Sequence, residues 1–327
     1  MRNAIVCVSL LLVLATAALA NTSTGHTWLD SEEADVAEAS ALIRISYDYE
    51  KRGRQAVQEA FREKGYASEY LSASLPLQGK SELYLLASAR SNAVIVLWVG
   101  TNEVKDWVTN LKATNYRDNP AAIPRGTPYI PPGHAGFRAH MLEYRKRGLF
   151  HQKIPSFAKQ YGLSSVGSQY SVISIGHSQG AGLSQFAVAA IDGYSHTGSG
   201  VSKSSDSPTA LKKEIRFASP RALSSVVDGA SQVRCALGGS GTVYFDHLEL
   251  YRTTFTRDRR SLSLVNEDDM VPRIWNPACG HVVPAAHYGV IIRLGVDGKR
   301  DEYVESVDSS QPHHIDTYIH RVQRTRR

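Results

Sequence analysis

Residues 93–99, Ala-Val-Ile-Val-Leu-Trp-Val, are apolar without a break. A strand with one wet face alternates; an unbroken apolar run predicts a strand covered on both faces, as at the centre of a parallel sheet. Residues 171–175 mix Ser with Val and Ile and read as a second buried strand. Residues 82–87, 214–217, 260–265 and 286–296 read as further strands. Helical spacing falls between them. Val36, Ala39 and Ile43 mark residues 31–49, and Ala56, Val57, Ala60 and Phe61 mark 54–64. Val104, Trp107, Val108 and Leu111 put one apolar stripe on residues 103–116. Residues 181–191 are apolar nearly throughout, which predicts a mostly buried helix. Shorter helices are expected from residue 133, over 155–161 and over 315–324. Five prolines make 119–133 an extended loop, and Ser, Gly and Thr make 192–208 a flexible surface loop. Strands alternating with helices imply a mainly parallel central sheet with helices on both faces, an α/β fold.

The N-terminus breaks this rhythm. Arg2, an apolar run over residues 5–15 and the small-x-small series Ala18-Leu19-Ala20 fit a secretory signal peptide over residues 1–20. An uncleaved N-terminal anchor is the alternative. No later stretch is apolar enough to span a bilayer, so a secreted, extracellular chain is expected, with residues 21–327 one domain. The chain has 327 residues, 42% of them hydrophobic, enough for a full core. A net charge of +6 is modest and scattered; it favours an anionic surface and gives no reason to expect nucleic acid. Cys7 falls within the leader, leaving Cys235 and Cys279. In a secreted chain they fit a disulfide, or else two buried thiols.

The chemistry concentrates at Gly176-His177-Ser178-Gln179-Gly180, a G-x-S-x-G pattern between a predicted strand and a predicted helix. A serine on so sharp a turn needs small neighbours, and Gly176, Gly180, Ala181 and Gly182 supply them. The turn lifts the Ser178 hydroxyl clear of the sheet and aims the Gln179 N–H where an acyl oxyanion would form. An ordinary glycine-rich turn is the plain alternative. Serine is a poor nucleophile without a histidine to take its proton and a carboxylate to hold that histidine. Asp269 follows the 260–265 strand, and His313 and His314 precede the last helix, in the chain order Ser, Asp, His.

Five blocks then resemble the class 3 lipase family of α/β-hydrolases, in that family's order. Val94 through Asn102, with Asp106-Trp107, resembles its strand and R-G-T turn. Gly133-His134-Ala135-Gly136-Phe137 resembles V-H-x-G-F, and the serine pentapeptide resembles G-H-S-L-G. Phe217-Ala218-Ser219-Pro220-Arg221 resembles F-G-x-P-R, and Asn266 through Arg273 resembles N-x-x-D-x-V-P. The resemblance implies an α/β-hydrolase fold and a serine ester hydrolase. Ser178 would be the nucleophile, Asp269 the acid and His313 the base, with His314 the alternative under a shorter spacing. Thr101 and Gln179 would form the oxyanion hole. The 103–116 stripe resembles the family's lid helix, which turns onto a lipid surface and implies transient interface binding; a fixed helix packed on the sheet fits the same stripe. His134 and His177 match positions that support geometry.

The expected substrate is an acylglycerol, with phospholipid (phospholipase A1) and feruloyl esters as alternatives. A secreted binding protein that keeps the fold without catalysis is the alternative of another class. Three departures bear on this: Val99 stands where the family has Arg, Gln179 replaces Leu or Met, and Arg221 is followed by Ala222-Leu223. No zinc motif and no phosphate loop occurs in the sequence, so no metal or cofactor is expected.

Overall fold

The structure, a computed structural model, describes residue 28 and residues 31–76, 79–88, 90, 92–100, 115–116, 123–163, 165–167, 169–197, 200–220, 222–224, 250–251, 254–255, 259–266, 285–286, 290–294 and 300–301. Its main sheet runs in chain order: β1 (Ala67–Leu75), β2 (Gly79–Ala87), β3 (Val94–Trp98), β4 (Gln169–His177), β5 (Thr209–Phe217), β6 (Ser261–Asn266), β7 (Val290–Leu294) and β8 (Arg300–Asp301). The pairs from β3 to β7 are all parallel. The edges, β1–β2–β3 and β7–β8, are antiparallel.

A parallel neighbour needs a crossover, and successive crossovers of one hand in one strand order place their helices on the same face. Helices α3 (Ala135–Lys146), α4 (Ile154–Gln160) and α5 (Gln179–Ile191) cover that face. Among the described residues, α1 (Glu32–Tyr47) and α2 (Tyr49–Glu63) pack on the other face. The unbroken apolar run of β3 now has its reason. Val94, Val96 and Trp98 enter the core under α5 with Leu183 and Phe186, whereas Ile95 and Leu97 enter the core under α1 with Ala39, Leu42 and Ile43. This arrangement is the mainly parallel sheet with helices on both faces that the strand and helix pattern predicts, and the α/β-hydrolase fold that the five-block resemblance implies.

The structure corrects the sequence reading in four places. Strand β1 went unread because its Ser- and Glu-bearing edge is mostly half-buried and shows no continuous apolar run. Residues 192–208, expected to be a flexible loop, contain a hairpin of Tyr194–His196 against Val201–Lys203. It is anchored by the buried Asp192 carboxylate, which accepts from Lys203 Nζ at 3.0 Å, Arg260 at 3.1 Å and the Leu211 N–H at 3.1 Å. Composition does not reveal one buried acceptor gathering three donors. The expected strand 286–296 is two pieces in two sheets, Ala285–Ala286 and Val290–Leu294. The helix expected from residue 133 starts at Ala135, because Gly133–His134 is drawn into a small sheet with Asn115–Tyr116 and Leu223–Ser224. Among the described residues, no helix is long and apolar enough to cross a membrane.

Candidate active site

Strand β4 is flanked by β3 and β5, and its residues from Ser171 to His177 are buried. It ends where α5 begins, with one residue between them. That residue, Ser178, takes φ 54° and ψ −122°, a region that side-chain-bearing residues seldom occupy. The turn is this tight because backbones touch across it. A Cβ on Gly176 would lie 2.5 Å from the Gly180 carbonyl, and one on Gly180 would overlap the Trp98 carbonyl of β3. Strand, turn and helix are therefore packed main chain on main chain, and only glycine fits at either position.

Ser178 is the N-cap of α5, yet its side chain makes no cap bond to the first turn. Serine at this position usually caps. The left-handed φ turns the hydroxyl away from that role, and the first-turn N–H groups, beginning with Gln179, carry the positive end of the helix dipole. The main chain of Ser178 is fixed from two sides. Its N–H donates to the Phe217 carbonyl at the end of β5 (3.0 Å), and its carbonyl accepts from Gly182 N–H (3.1 Å). Beside it, Ala218 also has a left-handed φ of 50°, and its N–H donates to the Leu264 carbonyl of β6 at 3.1 Å. Gln185 of α5 clamps this second turn, its Nε2 donating to Ser219 Oγ at 2.6 Å and to the Pro220 carbonyl at 2.5 Å. Two strained turns on neighbouring strands thus hold each other through α5.

Both histidines that the sequence assigned to geometry have such roles. His134 Nδ1 accepts the first N–H groups of α3, from Gly136 at 3.1 Å and Phe137 at 3.3 Å. Burial lowers its pKa to about 4, so the ring is neutral near pH 7, as an Nδ1 acceptor must be. His177 Nδ1 pairs with the Tyr47 hydroxyl at 2.6 Å, the rings meeting edge-on at 5.5 Å. The same hydroxyl abuts Gly100, where a Cβ would overlap it and would lie 2.7 Å from the His177 carbonyl. Tyr47, the last residue of α1, therefore ties the residue before Ser178 to the residue before Thr101. The sequence reading missed Tyr47: it stands 130 positions from His177, and nothing in its own neighbourhood marks it.

Of the residues singled out from the sequence, Ser178 and Gln179 are described and adjoin at the mouth of α5. Thr101, the Val104, Trp107, Val108 and Leu111 stripe, Asp269, His313, His314, Cys235 and Cys279 lie outside the described residues. The flanks of two of them are described: β3 and its exit reach Gly100, and β6, two strands from β4, runs to Asn266. Among the described residues, no three His, Cys, Asp or Glu side chains gather as metal ligands would.

No protein-family model and no curated protein matches the chain. Solved structures do. A Rhizomucor miehei lipase propeptide complex is 13% identical, with 79% of this chain and 66% of that chain covered and a TM-score of 0.46. A triacylglycerol lipase from Penicillium expansum is 12% identical, with 81% of each chain covered and a TM-score of 0.46. A mutant form of MDLA from Penicillium cyclopium is 19% identical, with 81% of each covered and a TM-score of 0.49.

Proposed function

We propose that this protein is a serine hydrolase of carboxylic esters, acting on acylglycerols outside the cell. One observation carries the reading: Ser178 sits on a strained turn between a central parallel strand and the N-terminus of α5, with its side chain withheld from capping. A serine held so is costly for the fold and useful for attack on an electrophile. Two of the five sequence blocks supply Thr101 and Asp269, and the position before the last expected helix supplies the histidine. His313 takes the Ser178 proton, with His314 the alternative, and Asp269 holds the imidazole in the required tautomer. The Ser178 oxygen attacks the ester carbonyl. The N–H groups of Gln179 and Thr101 receive the oxyanion, that of Gln179 aided by the positive end of α5. The alcohol leaves with a proton from the histidine, and water then hydrolyses the acyl-enzyme by the same path in reverse. Acylglycerol is the preferred substrate because Val104, Trp107, Val108 and Leu111 recur in the sequence at the spacing of an amphipathic helix, a pattern suited to a lipid interface.

Hydrolysis of p-nitrophenyl esters from acetate to palmitate, by the protein and by Ser178→Ala, tests this. Turnover that rises with chain length and falls by at least about 10³-fold in Ser178→Ala is the expected result. Turnover confined to short chains moves the substrate to soluble esters. No turnover by the folded protein, together with no labelling of Ser178 by a fluorophosphonate, overturns the enzyme reading.

A further inference from the structure

Beneath α5, on the sheet face it covers, lies a buried polar chain that no step of the proposed reaction uses. The Trp98 indole N–H of β3 donates to Ser174 Oγ of β4 at 3.0 Å. Ser174 Oγ lies 2.8 Å from Ser184 Oγ of α5, and Ser184 Oγ donates to Glu214 Oε1 of β5 at 2.7 Å. From the other side, Ser261 Oγ of β6 donates to Glu214 Oε2 at 2.6 Å. Arg216 donates to Ser261 Oγ at 3.1 Å, with its Nε 3.4 Å from Glu214 Oε2. Ser174, Ser184, Glu214, Arg216 and Ser261 are all fully buried.

The chain has a direction. An indole and a guanidinium only donate and a carboxylate only accepts, so every hydroxyl between them must point its proton toward Glu214. Bonds aligned this way reinforce one another. A buried Glu–Arg pair contributes little net stability, since the cost of desolvating both charges offsets their attraction. Its value here must therefore come from where its branches end. Trp98 lies two residues before Gly100, at the exit of β3. Ser174 and Ser184 sit four residues before and six after Ser178. Glu214 lies three before Phe217, whose carbonyl receives the Ser178 N–H. Ser261 opens β6, whose last residue, Asn266, is three before Asp269.

We infer that Glu214 is a positioning residue for the reaction proposed above, fixing β3, β4, α5, β5 and β6 in one register. The inference rests on the hydrolase reading, and its failure can be told from that reading's failure. The rate of Ser178 labelling by a fluorophosphonate, kcat and KM on a p-nitrophenyl ester, and the urea midpoint are measured together. The variants are Ser178→Ala, Ser184→Ala, Glu214→Gln and the double replacement Glu214→Met with Arg216→Met. Ser184→Ala cuts the middle of the chain and leaves the ion pair in place. The double replacement removes both buried charges at once and is expected to keep the urea midpoint of the unaltered protein.

If Glu214 positions the site, Ser184→Ala, Glu214→Gln and the double replacement label at least tenfold more slowly, toward about 10². Their kcat falls by the same factor while KM holds. If Glu214 serves stability alone, the stable double replacement labels at the full rate and the inference is overturned. Labelling of Ser184→Ala at the full rate overturns it as well. Absence of labelling in the unaltered protein overturns the hydrolase reading and this inference together.

Discussion

Ser178 shows what a single residue concedes to its surroundings. A serine at this positive φ costs on the order of 1–3 kcal/mol, and the packing of Gly176 and Gly180 against neighbouring main chain leaves the turn no alternative. Tyr47 works at the same scale. Its hydroxyl partners His177, which is 3% exposed, so removing it takes a hydrogen bond from a buried ring nitrogen. Tyr47→Phe is expected to lower stability by about 1–3 kcal/mol, read as a lower urea midpoint with an unchanged slope. An unchanged midpoint would mean that His177 does not depend on this bond. The serine turn was legible in the sequence because its requirements are local, small residues between an apolar strand and an apolar helix. Tyr47 was not, because its role is defined by a contact between distant positions.

Among the elements, α3 depends on one imidazole. His134 caps it through Nδ1, and burial keeps the ring neutral down to about pH 4, against 6.5 when free. The sign of the linkage follows. Between pH 6.5 and 4 the unfolded chain binds a proton that the folded one refuses. The stability from a neutral His134 is therefore complete above 6.5 and is lost as pH falls toward 4, with no further loss below. The loss amounts to about 3 kcal/mol at most. His134→Asn keeps a capping oxygen and removes the titration, so urea midpoints between about pH 7 and 4 should fall less steeply in the variant. Equal slopes would show that His134 contributes nothing to acid sensitivity. The reading of 133–137 as helix from its first residue missed this cap, because the strand that turns His134 onto α3 is made by pairing with residue 223.

At the scale of the whole molecule, the two helical layers are joined to the sheet by different means. Helices α3 to α5 are carried by crossovers, whereas α1 and α2 precede the first strand and must be held by contact. Asp35 of α1, fully buried, meets Lys213 Nζ of β5 at 2.5 Å, 178 positions along the chain. Asp35→Ala strands the ammonium and is expected to cost about 3–5 kcal/mol, with faster amide exchange through residues 32–47. Adding Lys213→Met to Asp35→Leu should recover most of that loss. If the double variant is no more stable than Asp35→Ala, the cost lies in helix packing and not in the stranded charge.

By itself the sequence determined what short-range pattern can encode. The continuous run at 93–99 required a strand covered on both faces, the apolar stretch at 181–191 required a buried helix, and the small residues around Ser178 required a sharp turn between strand and helix. Period, propensity and turn chemistry act over a few residues and can be read there. Only the tertiary structure decided which distant groups share a hydrogen bond: Tyr47 with His177, Asp192 with Lys203 and Arg260, and Glu214 with Ser184 and Ser261. Those partners meet because strand order and crossover hand bring them together, and a buried polar atom must then bond with whatever the fold has placed within about 3 Å of it.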